Sequence, residues 1–241
     1  MGAGFSIVAR GAAEADIFIY EDVGASFWGG VTAKQFADEL KPLAGAQTLN
    51  VRINSNGGDV FDGMAIYNLL AQHPARIVTH VDGLAASIAS VIAMAGDTIR
   101  ISESGFMMIH NARGGAMGES GDLRKMADVI DTVTASIADV YAERTGLSPA
   151  DLRAMMDAET WMTGDAAVAQ GFADEMVSNL HVAARLDPSR HAFRNAPQAL
   201  TLASAAAPAP APVLERPRLA AAQDALALMR ARSRAALNRR A

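Results

Sequence analysis

Twice in its N-terminal half the chain runs a short stretch of branched apolar residues into a run of small residues, and from there into a helical pattern. Leu49–Ile53 is followed by Asn54-Ser55-Asn56-Gly57-Gly58 and a helix from about Asp59, with Met64, Ile66, Tyr67, Leu69 and Leu70 on its inward side. Ile77–Val81 is followed by Gly83-Leu84-Ala85-Ala86-Ser87 and a helix that ends near Gly96. Strands that alternate with helices in this way predict an α/β fold, a largely parallel sheet with crossover helices. Three more runs, Ile17–Tyr20, Thr98–Ile101 and Phe106–Ile109, read as further strands. Thr32 to Leu43 reads as a helix with Phe36, Leu40 and Leu43 on one side. The chain has 241 residues, 51% of them apolar, which suits one such domain and an appendage.

The pattern then changes. Leu123, Met126, Ile130, Val133, Ile137 and Tyr141 recur at helical spacing and form a long amphipathic stripe that Gly146 closes. Ser148-Pro149-Ala150-Asp151 opens another helix, and Thr163 caps a short one that stops at Gly171. These elements place a main domain at 1–182. An Ala/Pro-rich linker follows at 183–213, and a basic helical tail at 214–241. The tail carries seven arginines against Glu215 and Asp224, a net of about +5. The whole chain is at −5, so the rest lies near −10 and nucleic acid is not an expected partner. There is no cysteine, which excludes disulfides, thiol nucleophiles and cysteine-bound zinc. His73, His80, His181 and His191 show no metal-binding spacing, so neither a metal nor a cofactor is expected. The most apolar stretch, Leu84 to Ala95, is far shorter than the roughly 20 residues of a membrane span. With no secretory pattern at the N-terminus, a cytoplasmic protein without a membrane partner is the expectation.

Three features carry chemistry together that none carries alone. Ser87 stands between a strand and a helix among Ala85, Ala86 and Ala89. Small neighbours let a substrate backbone approach, and the amide of Ile88 at the helix start faces any negative charge that develops. A lone serine there is ordinarily just a helix cap. His110 ends the strand Phe106–Ile109, in reach of a neighbouring loop and able to take a proton near neutral pH. Gly57-Gly58 frees the backbone after Ile53 to point its amides at a ligand, although alone it is a plain tight turn.

The ordered set resembles the ClpP family of serine peptidases. Ile53-Asn54-Ser55-Asn56-Gly57-Gly58 with Gly63-Met64-Ala65-Ile66-Tyr67 is similar to that family's oxyanion strand and first helix. Gly83 to Ala89 resembles its nucleophile segment, and Met107-Met108-Ile109-His110-Asn111 with Gly114-Gly115 its histidine segment. Glu159-Thr160-Trp161-Met162-Thr163 through Gly171-Phe172-Ala173-Asp174 resembles its closing strand and helix. The resemblance covers roughly residues 17–178. It implies a crotonase-like fold, a Ser87–His110–acid triad, and an oxyanion hole from the amides of Gly58 and Ile88. It also implies a homo-oligomer of stacked rings joined through the helix near 121–144. Asn56 stands where the family usually has proline. Glu159 occupies the family's aspartate position, with Asp157 and Asp165 nearby as substitutes.

Ile19-Tyr20-Glu21-Asp22-Val23-Gly24 and Phe27-Trp28-Gly29-Gly30-Val31-Thr32-Ala33 resemble the phage and prophage head-maturation branch, as does Glu159-Thr160-Trp161. That branch implies scaffold and capsid proteins as substrates. The extended linker and the basic helix beyond it suggest either a tail that delivers the enzyme and is removed by cleavage within about residues 195–215, or a passive one. The alternatives are a peptidase subunit served by an ATP-driven unfoldase, an acyl-CoA enzyme on the same fold, and an inactive ring-forming assembly protein.

Overall fold

Alternate residues of Thr48–Ser55 are fully buried, and that strand lies in the middle of the sheet. The computed structural model describes residues 5–11, 13–25, 30–178, 193–198 and 200. In chain order the strands are β1 (Phe5–Ala9), β2 (Glu14–Ile19), β3 (Thr48–Ser55), β4 (Arg76–Ala86), β5 (Thr98–Ser102), β6 (Phe106–Ile109), β7 (Thr160–Thr163) and β8 (Glu175–Val177). The helices are α1 (Ala33–Leu40), α2 (Val60–Ala71), α3 (Ile88–Ala93), α4 (Ser120–Thr145), α5 (Pro149–Asp157) and α6 (Gly164–Ala169). Among these residues no helix is long and apolar enough to cross a membrane.

The sheet runs β1-β2-β3-β4-β5-β8, parallel from β2 onward, with β1 antiparallel at its edge. β4 carries two partners in succession on one side. Val78–Val81 pairs with β5, and Leu84–Ala86 pairs with β6. The sheet therefore divides at Asp82-Gly83, where one leaf continues into β8 and the other into antiparallel β7. Two side chains pin the division from the polar face. Arg52 donates twice to the fully buried Asp82, at 2.8 and 2.6 Å, and the Tyr20 hydroxyl donates to the same carboxylate.

The division corrects one expectation. Gly83 to Ala86, read as a run of small residues between strand and helix, is strand, because Ala85 pairs with Ser55 on one side and Met107 on the other. Small side chains suit a strand enclosed on both edges and both faces. Leu84, Ala85 and Ala86 are at most 1% exposed.

Thr163 stands at the N-terminal cap position of α6 but makes no side-chain capping bond, and α6 ends at Ala169, short of Gly171. Three other helix starts are capped by side chains. Thr32 accepts from the Gln35 amide, Asp59 from the amides of Phe61 and Asp62, and Ser148 from that of Asp151. The first helix is shorter than its periodicity predicts. Pro42 has no N–H to continue the ladder, and Lys41–Leu43 tightens into a 3-10 turn. Gly146 ends α4 at φ 70°, a left-handed cap. Only the C-terminal half of α4 reaches the core, through Thr134, Ile137 and Tyr141. Leu123 and Val129, nearer its start, are about half exposed.

Candidate active site

The carboxyl ends of three adjacent parallel strands, β3, β4 and β6, meet at one edge, where α/β sheets commonly bind ligands. β4 delivers Ser87 there, and β6 delivers His110 next to it. The Ser87 amide donates to Met108 carbonyl at 2.9 Å, which extends the β4–β6 ladder by one bond before the chain turns. The turn is abrupt. Ser87 has φ 57° and ψ −132°, a conformation that costs a non-glycine residue of order 1–3 kcal/mol.

The Ser87 side chain caps nothing. Its Oγ lies 2.7 Å from His110 Nε2 instead. The helix-cap reading of this serine therefore does not describe it. If the hydroxyl donates, Nε2 must be the unprotonated nitrogen, and the ring proton sits on Nδ1. Burial and Arg113, with Arg194 adding to them, hold the imidazole down to about 4, against the raising influence of Glu159. His110 is thus neutral at neutral pH and free to accept a proton.

Gly57 and Gly58 lie over this pair, both at positive φ. Gly57 carbonyl accepts from the Val23 amide at 2.7 Å, and the Asp59 amide donates to Val23 carbonyl at 2.9 Å. In a trans peptide C=O and N–H point opposite ways, so the Gly58 N–H is aimed away from Val23. Neither that N–H nor the Ile88 N–H at the start of α3 bonds to another described residue. A cavity of about 410 Å³ opens here, lined by Asn56, Gly58, Ser87, Ile88, His110 and Phe193 among others.

The structure does not give His110 a hydrogen bond to Glu159. The Glu159 side chain is fully buried at φ 51°, and other donors face it. Arg113 Nη2 donates to Oε2 at 2.5 Å, and the Asn195 amide to Oε1 at 2.7 Å; the Trp161 indole sits at 3.4 Å. Burial raises its carboxyl. The backbone amides of Asn195 and Arg194, the indole and Arg113 outweigh that and hold it below the ordinary glutamate range. Asp157 accepts from the Asn111 side chain at 2.6 Å, and Asp165 is exposed in the first turn of α6.

The Clp protease family model matches residues 3–180. The chain belongs to the Clp protease family. It is similar to the ATP-dependent Clp protease proteolytic subunit of Bacteroides fragilis, 31% identical over 144 residues, 59% of this chain and 68% of that one. It is also similar to proteolytic subunit 1 of Leifsonia xyli subsp. xyli, 31% identical over 149 residues, covering 60% and 76% of the two chains. Proteolytic subunit 1 of Mycobacterium leprae is 29% identical over 136 residues, covering 56% and 68%. The protein is accordingly a serine-type peptidase with the ClpP fold.

Three features of this Clp-family site are not legible in its motifs. Arg113 sits three residues past His110, and nothing in a sequence shows that it reaches a carboxylate 46 positions away. Phe193 and Asn195 fall in the stretch read as linker, yet they touch His110 and Glu159. Tyr141 reads as one more apolar member of the α4 stripe. In the structure its hydroxyl lies 2.8 Å from Ser90 Oγ, and Ser90 Oγ donates to Ser87 carbonyl at 2.6 Å. With the serine proton committed to Ser87, the tyrosine must be the donor. Burial raises the phenol far above its ordinary pKa, so it stays protonated.

This two-bond chain anchors the nucleophile turn to α4. Tyr141→Phe leaves a buried hydroxyl short of a donor, at about 1–3 kcal/mol. We expect kcat on a small peptide to fall several-fold with KM nearly unchanged. An equal change in KM alone would mean that the chain serves packing and not the turn.

Proposed function

We propose that this Clp-family protein is a serine endopeptidase in which Ser87 is the nucleophile and His110 its general base. The observation that carries the reading is the 2.7 Å contact between Ser87 Oγ and His110 Nε2 at a strained turn beneath two unengaged amides. Ser87 Oγ attacks the scissile carbonyl carbon as its proton passes to His110 Nε2. The developing oxyanion accepts from Gly58 and Ile88 N–H. The imidazolium then returns the proton to the leaving amine, and the C–N bond breaks. Water attacks the resulting Ser87 ester by the same proton path and frees the acid. A fluorophosphonate probe tests this assignment: it is expected to label Ser87 and no other serine. Label on another residue would overturn it.

Glu159 is the proposed third member, since it is the buried carboxylate whose charge acts on His110. Glu159→Gln is expected to lower kcat/KM by about 10²-fold or more, as in other triads, while Asp157→Asn and Asp165→Asn change it little. A larger loss from either aspartate would move the role to that residue.

The proteolytic-subunit names of the relatives favour a subunit served by an ATP-driven unfoldase, working in the cytoplasm, over head maturation with scaffold or capsid substrates. Part of the resemblance to the head-maturation branch, Phe27 to Gly29, lies outside the described residues, as does the tail from 201. Degradation of a folded substrate that requires an added Clp-type unfoldase and ATP would support the subunit role; unaided trimming of a scaffold protein would favour the other.

Ring assembly through α4 is part of the proposal, because half-exposed Leu123 and Val129 lie on a helix only half seated on the body. Ile130→Glu is expected to give smaller species in the ultracentrifuge. A wild-type monomer at micromolar concentration would contradict it.

A further inference from the structure

The outer face of the β4–β6–β7 leaf is apolar, with Leu84, Ala86, Met108, Phe106 and Trp161 on one side of it. The chain covers this face with its own later segment. Leu200 is 4% exposed against Leu84, Ala86 and Met108, and Ala196 and Phe193 pack beside it. The contacts are specific at the end nearest the nucleophile. The Phe193 ring stands edge-on to the His110 imidazole at 5.9 Å and to Trp161 at 5.5 Å, with the Arg113 guanidinium 5.8 Å from its centre. The Asn195 amide donates to Glu159 at 2.7 Å, and its side chain donates to Ala158 carbonyl at 2.7 Å. Arg194 donates to Asp157 carbonyl at 3.3 Å.

These bonds differ from the adventitious packing of a solvated linker. The Glu159 carboxylate has no solvent exposure, so each donor on it replaces one lost from water. Phe193 lines the same cavity as Ser87 and His110.

We propose that the face formed by Trp161, Glu159 and His110 is a peptide-docking site, filled in cis by Phe193–Gln198 and Leu200, and that this occupancy restrains the Ser87–His110 pair. Its ligand is a peptide with an aromatic side chain followed two residues later by a free backbone N–H. The restraint rests on reading Ser87 and His110 as the reacting pair, whereas the docking does not. The physical reason lies in the imidazolium that proton transfer from Ser87 must create. Phe193 takes water from the ring, Arg194 adds a like charge near it, and Asn195 occupies an oxygen of the carboxylate placed to balance it. Departure of the segment removes all three effects and leaves Glu159 free to turn from Asn195 toward Nδ1. A peptide of the same chemistry would compete for the face, which couples its presence to the reactivity of Ser87.

The test uses the full chain as wild type, Phe193→Ala and Asn195→Pro, the last lacking the donor N–H. Hydrogen exchange reads docking, and the rate of fluorophosphonate labelling at Ser87 reads restraint. In the wild type the amides of the 193–198 stretch are expected to be protected. Both variants are expected to lose that protection and to label about tenfold faster, as a shift of a closed population toward an open one requires. Free-coil exchange in the wild type overturns the docking. Released variants that label at the wild-type rate, with all three above a Ser87→Ala background, overturn the restraint alone. If none labels above that background, the peptidase reading falls together with the restraint.

Discussion

Ser87→Ala is expected to remove peptide cleavage by more than about 10³-fold, the scale of triad deletions elsewhere, while leaving the fold intact. The substitution takes away the atom that His110 faces at 2.7 Å and nothing else that holds the turn. The Ser87 amide still donates to Met108, and its carbonyl still accepts from the Ser90 amide and hydroxyl. Alanine meets the same φ of 57° that serine does, so the strain is unchanged. Ser87→Gly separates strain from chemistry. It is expected to be equally inactive yet more stable than Ser87→Ala, since glycine adopts this conformation without penalty. Peptide hydrolysis and the thermal midpoint, measured side by side on the three proteins, check both statements. Retained hydrolysis in pure Ser87→Ala would remove the serine from the mechanism.

The parts of the molecule that local chemistry dictates were legible in the sequence. The strand–turn–helix cadence at Leu49–Asp59 shows as β3 and α2, and the caps at Ser148 and Gly146 fall where the side chain or positive φ requires. The ordered motifs pointed to Ser87 and His110 together, and they lie side by side because β4 and β6 are parallel neighbours that each lead into one of them. What stayed hidden depends on contacts between distant segments. The division of the sheet arises because β4 is long enough to pair with β5 and then β6, which no periodicity records. β1 and β8 are short edge strands of five and three residues, and they gain their order from the sheet they join. Glu159 shows the same limit at the site. Its position is given by the motif, but its partners are Arg113, 46 residues earlier, and Asn195, 36 later. Ala and Pro composition suggested an extended linker beyond 183 and gave no sign of the contacts that Phe193 and Leu200 make in the described part of it.

Gly57→Ala is expected to be strongly damaging although it touches no reacting atom. A Cβ at Gly57 would lie 2.7 Å from Ala86 carbonyl, 2.7 Å from Ser87 Cβ and 3.2 Å from Ile88 nitrogen. None of these is the tip of a flexible side chain; all belong to the nucleophile turn. The backbone at φ 96° adds strain of about 1–3 kcal/mol for any residue with a Cβ. The loop must therefore lift, or the turn must yield. Val23 resists the first, since its amide holds Gly57 carbonyl and its carbonyl holds the Asp59 amide. Either movement separates the Gly58 N–H from the Ile88 N–H, the two donors assigned to the oxyanion. Loss of one such donor costs about 10²- to 10³-fold in kcat. That loss is expected in Gly57→Ala, together with a lower thermal midpoint and a much smaller change in KM. Gly45→Ala is the matched control, because its added Cβ would meet nothing within 4 Å, and it is expected to behave as wild type. If Gly57→Ala keeps both its kcat and its stability, the loop accommodates the methyl without moving the amides. The assignment of Gly58 N–H to the oxyanion then fails, even if Ser87 and His110 stand.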